Sequence, residues 1–130
     1  MAAKPETTFI NLVHKHLPAS IYREKMNNPY RSGTPDVYYE GKGHKRGNVL
    51  WVEYKWIPYK ISPLQLKWLT RAHNNGLLAW VVVGWRESPR VTHCTILANP
   101  TMWDAKITKT NNPYEIYTIE EYTNFIQAYV

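Results

Sequence analysis

Cysteine is nearly absent from this 130-residue chain, Cys94 being the only one. That excludes an internal disulfide and any zinc site built on several thiolates, and it points to a reducing compartment or to a protein indifferent to redox. Long apolar runs are missing as well. The longest, Leu77 to Val83, falls far short of the roughly 20 residues a membrane-spanning helix needs, and the first residues carry no apolar signal stretch. A soluble, cytoplasmic chain with no membrane partner is expected. Acid is the minority charge, 10 Asp and Glu against 16 Lys and Arg, for a formal net charge of +6. Such an excess of base favours a polyanionic partner. Phenylalanine occurs only twice, whereas Trp occurs six times and Tyr ten times. These rings fill a core, stack on bases or anchor at an interface, and composition alone does not choose among the roles.

At this length there is room for one core and little room for a second domain, so residues 1–130 are read as a single domain. Phe9, Ile10, Val13 and Leu17 recur at helical spacing, with Pro5 suited to a first helical position and Pro18 to a stop. Ile21 to Met26 is expected to be a short strand before an Asn27-Asn28-Pro29 turn. Asp36 to Tyr39 and Val49 to Trp56 are rich in β-formers and flank the polar stretch Glu40 to Asn48, which predicts a hairpin with a long basic loop. Ser62-Pro63-Leu64-Gln65 combines an N-cap serine, a proline at the first helical position and a glutamine placed for a capping box. A helix is therefore expected from Pro63 to about Asn75, with Gly76 as its stop. Leu77 to Trp85 is too apolar for an edge and predicts a buried central strand, with Val91 to Leu97 beside it. Asn99 to Asn112 reads as irregular, and Thr118-Ile119-Glu120-Glu121 opens a last helix through Phe125. The order α, β, β, β, α, β, β, α describes a mixed sheet with helices packed on it.

Asp36 is one of only two aspartates. Pro35 before it removes a ladder donor and holds Thr34 extended, which fixes where the strand begins. Along the second hairpin strand, alternation puts Trp51, Glu53 and Lys55 on one face and Leu50, Val52 and Tyr54 on the other. A symmetric hairpin pairs residue 39 with 50, and hence Asp36 with Glu53. Opposed side chains have Cβ atoms about 5 Å apart, where two carboxylates repel unless a cation or a shared proton lies between them. A hard cation such as Mg²⁺ takes oxygen ligands, commonly one or two protein carboxylates with water and a substrate phosphate. Lys55, one alternation beyond Glu53, would lie beside a water on such a metal, able to orient it or accept its proton.

The succession Gly33-Thr34-Pro35-Asp36, then Glu53-Tyr54-Lys55 after an apolar strand, then a helix opening with Ser62-Pro63-Leu64-Gln65, resembles the PD-(D/E)xK nuclease superfamily. The glycine before the proline and the glutamine on the following helix look most like the VRR-Nuc group and related phage and junction-resolving endonucleases. The likeness spans Glu6 to Val83. It implies an α/β, restriction-endonuclease-like fold, with a mixed central sheet flanked by helices. It implies too that Asp36, Glu53 and the backbone carbonyl of Tyr54 hold Mg²⁺, with Mn²⁺ able to substitute. Glu6, on the helix before the hairpin, would assist directly or through water; at 100° per residue it falls in line with Ile10, Val13 and Leu17 and should point towards the sheet. Lys55 would position the attacking water, and Gln65 would support the site from the second helix. The implied reaction is hydrolysis of a phosphodiester in DNA, branched or otherwise structured, of the Holliday-junction or flap kind, leaving a 5′-phosphate and a 3′-hydroxyl. Cutting both strands of a junction requires two active sites, so a homodimer is expected. A phage-encoded chain would work in the host cytoplasm.

Plainer roles stand beside these. Asp36 would serve as a strand-start aspartate, and Glu6 would complement the helix dipole whatever its function. Glu53 and Lys55 would form an exposed charge set, although Leu50, Trp51, Val52 and Trp56 around them argue against a fully solvated strand. Gln65 would act only as the capping partner of Ser62. Lys60 and Lys67 are candidates for scissile-strand phosphates or are simply solvated. Lys42, His44, Lys45 and Arg46 lie on the hairpin loop at the far end from Asp36, where they would reach only an outlying phosphate. Tyr38 and Trp51 share the site face and suit rim packing or stacking on an unpaired base. Two rival functions stay open: a sequence-specific, restriction-type nuclease with the same site, and a catalytically inactive nucleic-acid-binding module that kept the fold.

Overall fold

The computed structural model describes residues 4–26, 33–41 and 48–130. The Asn27-Asn28-Pro29 turn and the loop residues Lys42, His44, Lys45 and Arg46 lie outside the described residues. In chain order the elements are α1 (Pro5–His16), β1 (Ile21–Lys25), β2 (Val37–Gly41), β3 (Val49–Trp56) and α2 (Pro63–Asn74). They continue as β4 (Leu78–Ser88), β5 (Val91–Leu97), α3 (Pro100–Asp104), β6 (Tyr117–Thr118) and α4 (Ile119–Tyr129). All six strands form one sheet in the order β1-β2-β3-β4-β5-β6. Neighbours run antiparallel except β3 and β4, which are parallel and joined through α2.

Register follows the symmetry of the β2–β3 hairpin: Tyr39 pairs with Leu50, Tyr38 with Trp51 and Val37 with Val52. Asp36, one residue before β2, therefore stands opposite Glu53. Alternation divides the β3 side chains between two cores. Leu50, Val52 and Tyr54 join Phe9, Ile10 and Val13 of α1 and Tyr122 and Ile126 of α4. On the opposite face Leu69 and Ala72 of α2 and Trp103 of α3 cover Val81 and Val83 of β4, with Trp51 packed at the margin. β4 is buried on both faces from Ala79 to Trp85, as a central strand of its composition should be.

Local signals set the helix ends. Ser62 and Gln65 form the capping box of α2, and Thr118 and Glu121 that of α4. Gly76, at φ +82°, closes α2: its N–H donates to the His73 carbonyl and that of Leu77 to Ala72, both at 3.0 Å, the paired bonds of a Schellman motif.

Three features differ from the sequence expectation. The stretch expected to be irregular contains α3, opened by the Asn99 side chain accepting from Met102 N–H at 3.2 Å. Five residues are too few to display a helical period. α4 runs past Phe125 to Tyr129, because Ile126 and Val130 bury themselves in the α1-side core. β6 adds a two-residue edge pairing with Cys94 and His93. No helix of the described residues is long and apolar enough to cross a membrane.

Candidate active site

Gly33 turns the chain towards β2. Its φ of +90° is left-handed backbone that favours glycine, and a Cβ there would stand 2.5 Å from the Leu64 carbonyl oxygen. The segment leading to Asp36 is thus laid directly on the first turn of α2. Pro35 is buried behind it, leaving Asp36 half-buried. Asp36 Oδ2 accepts the Tyr54 N–H at 2.8 Å, so the carboxylate continues the hydrogen bonding of β3 past the start of β2. In an extended strand the N–H and C=O of one residue leave by the same edge. The Tyr54 carbonyl therefore faces the Asp36 side.

Glu53 is 3% exposed. Its Oε2 accepts from Gln65 Nε2 at 3.0 Å and lies 3.5 Å from Lys55 Nζ. Lys55 Nζ in turn donates to Gln65 Oε1 at 2.9 Å, which closes a triangle of three side chains. The Ser62 N–H also donates to Gln65 Oε1 at 2.9 Å. With two donors converging on that oxygen, the amide has one orientation, and its nitrogen is directed at Glu53. Capping and site support are therefore the same set of bonds: the helix start holds the amide that joins the carboxylate to the lysine.

Burial, and after it the Asp36 charge, pushes Glu53 from 4.5 up to about 8, against the opposing pull of Lys55. Burial raises Asp36 as well, while the Tyr54 N–H and the Lys55 charge draw it back. Glu53 Oε1 is buried with no donor directed at it, and Asp36 lies within hydrogen-bonding reach of the Glu53 carboxyl, so the pair shares a proton or holds a cation. An orphaned carboxylate oxygen beside a second half-buried carboxylate, with a backbone carbonyl on the same edge, matches the oxygen ligands a hard divalent cation takes. Asp36 and Glu53 supply the two carboxylates. Among the described residues no three His, Cys, Asp or Glu side chains gather into one cluster, so Glu6 stands apart from the Asp36 and Glu53 pair in this arrangement. α1 packs on the face of the sheet away from Glu53, and Glu6, half-buried in its first turn, reaches Asp36 through its charge.

Lys60 and Lys67 are both exposed. Lys60 borders a cavity with Tyr59 and Lys106, and Lys67 lies on α2 two residues beyond Gln65. Tyr38, Trp51 and Trp68 form a row of half-buried rings at centroid separations of 5.1 and 5.2 Å, which is the rim-packing role. One feature of the site's support was invisible in the sequence pattern. His14 Nε2, Tyr39 OH, Tyr54 OH and Tyr122 OH form a chain with links of 2.8, 2.6 and 2.8 Å through the core behind β3. Burial, aided by the Arg23 charge, lowers His14 to about 4, so its ring is neutral in this chain. The only sequence signal was a tyrosine where the inward face of each hairpin strand otherwise carries aliphatic residues.

The mixed six-stranded sheet with its flanking helices is an α/β fold. It matches the structure of Hjc, a Holliday junction resolvase from the archaeal hyperthermophile Archaeoglobus fulgidus, with a TM-score of 0.55 over 91% of this chain and 96% of that one, at 18% sequence identity. No protein-family model matches the chain, and no curated protein matches it.

Proposed function

We propose that this chain is a metal-dependent endonuclease of the PD-(D/E)xK kind, close to the VRR-Nuc group, that hydrolyses phosphodiester bonds in branched or otherwise structured DNA. The observation that carries the reading is the opposed Asp36 and Glu53 pair on the α2 side of the sheet, with Lys55 tied beside Glu53 through Gln65. The fold shared with a Holliday junction resolvase supports a branched substrate. Asp36, Glu53 and the Tyr54 carbonyl would hold Mg²⁺, or Mn²⁺ in its place, and the bound ion would neutralise charge on the phosphate and make an attacking water more acidic. Lys55 then orients the attacking water, its ammonium fixed by Gln65 Oε1 and Glu53. Gln65 keeps Glu53 and Lys55 in register, and Glu6 acts on Asp36 from α1 through its charge or an intervening water. The products are a 5′-phosphate and a 3′-hydroxyl. The surplus of Lys and Arg, including exposed Lys60 and Lys67 and the sequence positions Lys42, Lys45 and Arg46, would supply attraction for the phosphate backbone. A cytoplasmic homodimer would place one site on each strand of a junction.

The test is a panel of single-stranded, duplex, flap and four-way-junction DNA with Mg²⁺, Mn²⁺ or EDTA, alongside Asp36→Asn and Lys55→Ala. Metal-dependent cutting of branched DNA that both substitutions abolish is expected. Cutting of plain duplex at fixed sequences would favour the restriction-type rival, and binding without cutting the inactive module. Activity that survives either substitution would refute the mechanism.

A further inference from the structure

Behind the catalytic face lies a second feature at the same end of β3. Trp56 follows Lys55 in the chain and points to the opposite face of the sheet, where it packs against the α1-side core. Gly84 pairs with Trp56, and its missing side chain makes room for Phe9: a Cβ at Gly84 would stand 2.7 Å from that ring. Phe9 therefore approaches the sheet over Gly84, 5.6 Å from Trp56 between ring centroids with the two rings tilted by 60°. Above them a cavity of about 330 Å³ opens between α1 and the ends of β3, β4 and β5. Buried Phe9 and half-buried Leu12 and Trp56 line its base, with Thr8, Thr92 and Arg86 around it.

Among the described residues, Arg86 is the one charged member of the lining. Its Nη1 donates to the Pro89 carbonyl at 3.0 Å, which holds the guanidinium at the mouth. An apolar slot with an aromatic wall and a cation at its mouth complements one nucleotide: a flat base for the slot and a phosphate for the guanidinium. The volume falls within the range of small-molecule pockets. Trp56 follows Lys55 in the chain, so the cavity lies at the same end of β3 as the candidate site, on the other face of the sheet.

We propose that this cavity receives one unpaired base of the DNA substrate, stacked on Trp56, with Arg86 on that nucleotide's phosphate. This rests on the nuclease reading and sharpens it: the preferred substrate carries an unpaired nucleotide, as at a branch or flap, where the DNA passes the end of β3. A base already out of the helix avoids the cost of unstacking, so selection for branched DNA would arise without base-specific contacts.

The test is binding in EDTA, where no cutting occurs, to branched DNA carrying 2-aminopurine as the unpaired nucleotide, and to the same DNA with an abasic residue there. Wild type should quench the fluorophore and bind the abasic DNA about tenfold more weakly. Trp56→Leu should lose the quenching, bind the base-bearing DNA about tenfold more weakly and no longer distinguish the abasic form. Arg86→Gln, an exposed substitution that leaves the core intact, should weaken binding several-fold and keep the quenching. Equal wild-type affinity for the two DNAs, or undiminished quenching in Trp56→Leu, overturns the proposal while metal-dependent cutting still upholds the nuclease reading. Failure to bind branched DNA at all overturns both.

Discussion

Replacing Glu53 by glutamine should make the metal-free protein more stable in a way that grows with pH. Glu53 titrates near 4.5 when exposed and is raised to about 8 in the fold. The folded state thus keeps its proton longer than the unfolded state, so the stability this group contributes is present in full below about pH 4.5 and is lost as pH rises through about 8. Each pKa unit corresponds to about 1.4 kcal/mol, so between pH 5 and 8.5 the loss from this one group is about 4 kcal/mol. A glutamine in its place has no charge to bury. The glutamine carbonyl would replace Oε2, accepting from Gln65, and its amide nitrogen would replace Oε1 and could donate to Asp36. Urea denaturation in EDTA, followed by tryptophan fluorescence at a series of pH values, measures the difference. The stability of Glu53→Gln minus that of wild type should increase by a few kcal/mol from pH 5 to pH 8.5. Added Mg²⁺ should raise wild type alone, by mass action on the folded state. A difference that stays constant with pH, or that shrinks, would refute the claim that Glu53 is held in a site which penalises its charge.

Further outcomes follow from the same geometry. Magnesium affinity, measured by calorimetry, should increase from pH 6 to pH 8 and binding should release protons, since the ligand carboxylate must be ionised. Gln65→Ala removes the partner of Ser62 N–H, Lys55 and Glu53 together; it should cost about 1–2 kcal/mol in urea denaturation and lower single-turnover cleavage far more than that loss alone explains. Gly33→Ala forces a Cβ against the Leu64 carbonyl at an unfavourable φ and should cost roughly 1–3 kcal/mol, with cleavage falling because Asp36 shifts from α2. Tyr122→Phe breaks one end of the hydroxyl chain; it should cost about 1 kcal/mol in thermal or urea unfolding and leave cleavage unchanged, because Tyr54 OH retains Tyr39.

The hairpin register was legible because a symmetric turn constrains the sum of paired residue numbers, and Pro35 marks where pairing begins. The capping boxes at Ser62 and Thr118 were legible because their bonds are local, within three residues. Gln65 was legible as a cap and as a neighbour of Glu53 and Lys55, but its single amide serving both required the three-dimensional approach of Lys55 and Ser62 to one oxygen. Long-range contacts account for what was hidden. Nothing near Gly33 in the chain announces that it rests on Leu64, and nothing near Gly84 announces the ring of Phe9. The hydroxyl chain joins residues 14, 39, 54 and 122 across two helices and two strands, with no spacing to betray it. Helical phase placed Glu6 towards the sheet, but phase carries no information on which face of the sheet α1 covers.

The central claim is that Asp36 and Glu53 form a metal centre. Diffraction from crystals soaked in Mn²⁺, recorded for its anomalous signal, tests that claim without relying on a choice of DNA. A peak about 2 Å from Asp36, Glu53 and the Tyr54 carbonyl, absent from Asp36→Asn crystals, is the expected result. Crystals that bind Mn²⁺ elsewhere and show no density between those oxygens would contradict it.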